Sequence, residues 1–181
     1  MGYYVQSILT DSKKIKSVFG CKNEVLLTQL IEKLYEELEI LNSDFEDQIN
    51  TSVNAHAVLK DIINGEIRFP KLAFLYGYVY EKLCKYYGET VHPPKNEYVT
   101  NYYWAIPKET YKTFIEIPFS NDFPEIYSIY FEDLIKEKER FLNLKELNGF
   151  ENVDLAIAKQ DFEFIFDKAI AEKKDLVFTL Y

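Results

Sequence analysis

The sequence predicts an α+β fold, mainly helical, in a single domain over residues 1–181, with a small sheet pairing the N-terminal and C-terminal strands. Three observations carry this. The two best strand patterns, "YYVQSIL" and "DLVFTLY", stand near the two ends of the chain. Between them, segments with apolar residues three and four apart outnumber alternating ones. The 181 residues are 48% hydrophobic with only 6 Gly and 6 Pro, a composition that folds, at a length one core ordinarily serves.

Tyr3 to Leu9 is aromatic and β-branched enough for a strand, and Thr10-Asp11 punctuates it. Asp11 or Ser12 caps a brief helix to Phe19, stopped by Gly20. Asn23 caps a longer helix on which Leu26, Leu27, Leu30, Ile31, Leu34, Leu38 and Leu41 form one apolar face. Thr51 or Ser52 opens the next helix, carrying Val53, Ala57, Val58, Ile62 and Ile63 and closed by Asn64-Gly65. Pro70 suits a first helical turn, so "FLYGYVYEKLCKYYGE" continues as a helix to Tyr87 with Gly88 as its cap.

"ETVHPPKNEYVTNYY" reads as loop, because paired prolines do not continue a helix. A short helix is expected from Pro107 through Tyr111, Phe114 and Ile115, ended by Pro118, and "FSNDFPEIYSIY" is extended or looped. Helices are expected over Phe131–Leu144 and Leu155–Lys173, then the strand Asp175–Tyr181. Lone terminal strands leave their ladder groups unpaired, so pairing the first with the last satisfies both. A further strand is expected from 98–104 or 126–130, with six or seven helices around the sheet.

With 21 basic and 30 acidic side chains the net charge is −9, a sign that repels phosphate backbones and excludes nucleic acid as the expected ligand. Cys21 and Cys84 match no disulfide framework or zinc spacing. The first residues do not read as a signal peptide, Gln6 stands where a myristoylation motif wants Ser or Thr, and no apolar run spans a bilayer. The expectation is a cytoplasmic protein without a membrane, metal or cofactor.

Three groups are candidate sites. On a helix, the 72–87 apolar and aromatic positions cover more than half the circumference, which points to a core element; the alternative is a ligand pocket lined by Tyr76, Tyr80, Cys84 and His92. Tyr98, Tyr102, Tyr103 and Trp104 lie in a loop between prolines, where such rings either anchor an interface or seal the sheet edge. Glu36, Glu37, Glu39, Asp44, Glu46 and Asp47 form an acidic run without one basic residue, placed at the C-terminal end of the expected long helix, where the dipole disfavours acids. A surface kept for a basic partner carries such a cost; a solvated face is the plainer reading. Asn42, Asp44 and Glu46 do not start a calcium loop, since Asp47 and Val53 stand where Gly and Glu are required. There is no phosphate-binding Gly loop, G-x-S-x-G or H-E-x-x-H.

The pieces "MGYYVQSILTDSKKIKSVFG", "YGYVYEKLCKYYGE", "DFPEIYSIY" and "AIAEKKDLVFTLY" resemble a bacterial family of uncharacterised proteins that open on a Met-Gly-Tyr strand and close on a helix and a Leu-Val-aromatic strand. The paired termini are similar in layout to the YfbM-like proteins, also of unknown function. The resemblance runs essentially the full length and implies an α+β fold with adjacent terminal strands. Its matching pieces are structural, so it implies no catalytic residue. Small acidic proteins of this kind often accompany secreted bacterial toxins as antidotes, which is an analogy. The expected function is a non-enzymatic, cytoplasmic protein-binding module for a basic partner, an immunity protein in its specific form; the alternative is a small-molecule binder or enzyme beside the 71–87 helix.

Overall fold

Four strands and seven α-helices are found among the described residues of the computed structural model, which are 5–94, 112–120, 123–143 and 155–181. The strands are β1 (Val5–Thr10), β2 (Glu89–Val91), β3 (Glu125–Ile129) and β4 (Asp175–Leu180). The helices are α1 (Ser12–Val18), α2 (Glu24–Lys33), α3 (Tyr35–Asp44), α4 (Ala55–Asn64), α5 (Ala73–Tyr86), α6 (Leu134–Leu142) and α7 (Leu155–Glu172). The sheet is antiparallel in the order β2-β1-β4-β3, so the two strands nearest the chain ends form its centre, in a register running from Val5 opposite Leu180 to Thr10 opposite Asp175.

Because side chains alternate across a strand, this sheet has two apolar faces and buries both. Ile8, Ile126 and Val177 join the core built with α1 to α5. Leu9, Tyr127, Ile129, Leu176, Phe178 and Leu180 meet α6 and α7, where Phe141, Phe162 and Phe166 close around Phe178. The rings of Phe162 and Phe178 stack at 5.3 Å. The fold is α+β, with a thin sheet between a large and a small helical layer.

Local chemistry sets the boundaries. Asp11 and Asn23 cap α1 and α2 with their side chains, as their positions predict. The single long helix expected after Asn23 is two, because Leu34 leaves helical geometry (φ −104°, ψ 13°). Leu27, Leu30, Leu34, Leu38 and Leu41 are still all buried, so the bend keeps both halves of the apolar face on the core. Helix α4 starts at Ala55 and not at Thr51 or Ser52, since Asn50 Oδ1 takes the Ser52 and Val53 N–H groups in a turn and Asn54 supplies the cap to Ala57 N. Gly20 and Gly65 both have positive φ, and a Cβ on Gly65 would lie 2.9 Å from Gly20 Cα, so this glycine pair lets the ends of α1 and α4 touch.

Two further expectations change. Glu89–Val91, read as loop, is β2, extending the sheet on the free side of β1. Phe114 and Ile115 are buried but not helical; Lys112 runs parallel to Tyr127 at the β3 edge, and Ser128 N donates to Lys112 O at 3.0 Å. Of the two places offered for another strand, 126–130 holds β3, while 98–104 and the start of the Pro107 helix lie outside the described residues. Phe131–Asp133 forms a 3-10 turn ahead of α6.

Candidate functional site

The bend at Leu34 changes the electrostatic setting of the acidic run. Glu36 and Glu37 fall in the first turn of α3, where the helix dipole favours carboxylates, instead of near a C-terminus as expected from one long helix. Asp44, Glu46 and Asp47 do lie at or beyond the C-terminal end of α3, where it disfavours them. All six acids are exposed. Glu39 alone is tied to the protein: its Oε1 lies 2.7 Å from His56 Nε2 and accepts from Asn42 Nδ2 at 3.0 Å, and the His56 contact, then Asn42, holds its carboxyl below the usual glutamate range. Asn42 Oδ1 in turn accepts Ala55 N at 2.9 Å, anchoring α3 to α4.

The other five carboxylates have no ion pair among the described residues. Among them stand two apolar side chains, Tyr35 at 56% and Ile40 at 57% exposure. While Leu38 and Leu41 bury the inner face of α3, its outer face thus joins negative charge to apolar surface. Tyr98, Tyr102, Tyr103 and Trp104 lie outside the described residues.

The tyrosines of α5 are placed differently. Tyr76, Tyr80 and Cys84 have no exposure at all. Tyr76 donates to Asp61 Oδ2 at 2.5 Å and accepts Phe69 N at 3.3 Å. Tyr80 pairs with Ser128 Oγ at 3.0 Å and accepts Phe114 N at 3.0 Å, tying α5 to β3 and to the 112–120 segment. Burial raises the pKa of both phenols, and of the Cys84 thiol, well above the ordinary range, so all three stay protonated. His92 is exposed beyond β2, and no hydrogen bond joins it to Cys84 among the described residues. Asp61 and Ser128 are the partners that sequence reasoning missed; Asp61, a lone acid between Leu59 and Ile62 on an apolar face, is the legible signal.

A cavity of about 340 Å³ does lie beside the first turns of α5, lined by Ala73, Gly77, Ile115, Pro118, Phe119 and Ile126 among others, but Tyr76, Tyr80, Cys84 and His92 are not in its lining. Gly77 admits the ring of Pro124, whose Cγ would be 2.9 Å from a Cβ at that position. Among the described residues no group of three or more His, Cys, Asp or Glu converges as metal ligands, and no helix is long and apolar enough to cross a membrane.

The geometry defines an α+β protein in which the Tyr76 and Tyr80 phenols are bonded in the interior while, among the described residues, unpaired acids stand exposed on α3 and just after it. The family model described as "Domain of unknown function (DUF7691)" matches residues 1–181, and the chain belongs to that family. Neither a curated protein nor a solved structure matches it.

Proposed function

We propose that this is a non-enzymatic cytoplasmic binding module that docks a basic protein on the outer face of α3, and that its specific form is an immunity protein neutralising a secreted bacterial toxin. The observation that supports it is that Glu36, Ile40 and Asp44, spaced four apart on α3, align exposed unpaired acids with an exposed apolar side chain, with Glu37 beside them and exposed Tyr35 at the start of the helix. Charge of one sign steers and selects a complementary partner, and apolar groups among the charges supply affinity once water leaves. In this reading Tyr98, Tyr102, Tyr103 and Trp104 add further anchors.

The test is affinity capture from the native host with the wild-type chain and with a variant carrying Glu36→Lys, Glu37→Lys and Asp44→Lys, followed by titration of the purified partner. A basic protein whose binding weakens at least about tenfold in the variant, and weakens with salt, supports the reading. A partner held equally by both forms overturns it.

The cavity beside Gly77 favours a second reading, a small apolar ligand, since about 300 Å³ is enough for one. Ligand-dependent thermal shifts that disappear in Ala73→Leu, which fills the cavity, would bring it forward.

A further inference from the structure

A second concave site, unrelated to α3, lies at the end of the sheet where β1 runs into α1 and α7 turns into β4. The cleft has a volume of about 520 Å³, and Lys13, Lys16, Lys173 and Lys174 line it. None of these four has an ion-pair partner among the described residues. Lys16 Nζ lies 4.5 Å from the centre of the Tyr130 ring, which also lines the cleft.

Two of the three acids in the lining, Asp11 and Asp175, are engaged by backbone groups. Asp11 Oδ1 accepts Lys13 N at 3.0 Å and Lys14 N at 3.3 Å. Asp175 accepts Ser12 N at 2.8 Å and Phe131 N at 2.9 Å, one on each carboxylate oxygen. Glu132 is exposed at the rim. Asp11 and Asp175 therefore build the walls through backbone N–H groups, and among the described residues no carboxylate of the lining forms an ion pair with the four lysines, although Lys174 acts through space on Glu89.

The backbone supplies an independent observation. Lys173 follows α7 in the left-handed region at φ 55°, the position where helices favour glycine because a Cβ is strained there. The dipole of α7 accounts for a cation at this end, but not for a side chain in that conformation. The left-handed turn closes α7, Lys174 N donating to Ala169 O at 3.0 Å, and sets Lys173 and Lys174 in the lining of the cleft.

We infer that this cleft binds a multiply charged phosphate group, free or carried on a small molecule, through the ammonium groups of Lys13, Lys16, Lys173 and Lys174. Its walls come from three chain segments around a volume of small-molecule size, whereas a nucleic acid would have to approach a protein of net charge −9.

The full chain is titrated calorimetrically with pyrophosphate and, separately, with glycerol phosphate. Saturable binding with Kd below ~1 mM is expected for at least one of them, and the tighter of the two assigns the source as a free anion or an ester. Lys16→Gln weakens binding about tenfold, whereas Lys60→Gln, an exposed lysine of α4 outside the cleft, leaves it unchanged. Lys173→Gly separates site from scaffold: Tm rises by about 2–4 °C as the strain is relieved, while affinity falls. No saturable binding of either probe, or equal losses in the Lys16 and Lys60 variants, overturns the inference.

Discussion

Helices α5 and α3 both carry many polar side chains, and they use them in opposite ways. On α5, the hydroxyls of Tyr76 and Tyr80 sit in the dry interior and each finds both a donor and an acceptor or hydroxyl partner. On α3, five of the acids in and just after the helix end in water. A buried polar group fixes neighbours because leaving it unmade is costly, so α5 specifies which segments meet. An exposed charge fixes nothing in the fold and remains free for recognition. The difference separates the residues that hold this molecule together from those that can meet another.

The strongest way to break that contrast is Tyr80→Ala. It empties a fully buried ring and strands both Ser128 Oγ and Phe114 N, so a loss of about 3–5 kcal/mol in urea unfolding is expected. A loss under about 1 kcal/mol would mean that α5 is not the interior scaffold described above. Asp61→Ala comes next, at about 2 kcal/mol, because it removes the acceptor of Tyr76 and the partner of Arg68, whose half-exposed guanidinium can turn to water. Thermal unfolding of that variant should also show whether the 66–69 turn, which Asp61 holds through Arg68 N and its own carbonyl to Glu66 N, loosens first.

Replacing the α3 acids should sharpen the contrast from the other side. Glu36→Gln and Glu37→Gln give up a favourable dipole position, whereas Asp44→Asn relieves an unfavourable one, so each is expected to move stability by no more than about 0.5 kcal/mol and in opposite directions. Denaturant midpoints of the three single variants check the signs. A uniform loss would place these acids in the fold's own stabilisation.

How far this division was readable depends on whether the governing contacts are local. The terminal strands are legible because alternation in "DLVFTLY" and unpaired ladder groups demand a partner, and β1 and β4 supply each other. Strand β2 is not, since "ETV" is three residues before prolines and is extended only because β1 lies beside it. The bend at Leu34 has no Pro or Gly to announce it, and the leucine spacing runs unbroken through it; that one residue reverses the dipole argument for Glu36 and Glu37. The acidic run is visible as composition, and the burial of Tyr76 and Tyr80 as helical periodicity, but Asp61 and Ser128 become their partners only through tertiary packing. The lysine cleft is further from view, for Lys13 and Lys16 reach Lys173 and Lys174 only through the register of the first strand on the last.

The smallest effect concerns the acid of α3 that the fold does claim. Glu39 has its folded pKa lowered, first by the contact with His56 and then by Asn42. A depressed carboxyl pKa means that the unfolded chain binds the proton more readily, so the contribution is present above the unfolded value of about 4.3 and is lost as pH falls through the folded one. His56→Ala should therefore lower Tm slightly at neutral pH, with the gap to wild type closing as the pH is taken below about 4. Glu39 is exposed, so solvent and salt screen the pair, and the gap should narrow in high salt as well. A gap that persists unchanged in acid would trace the loss to the packing of His56 against Tyr35, whose rings lie 6.2 Å apart, and would return Glu39 to the same free surface as its neighbours.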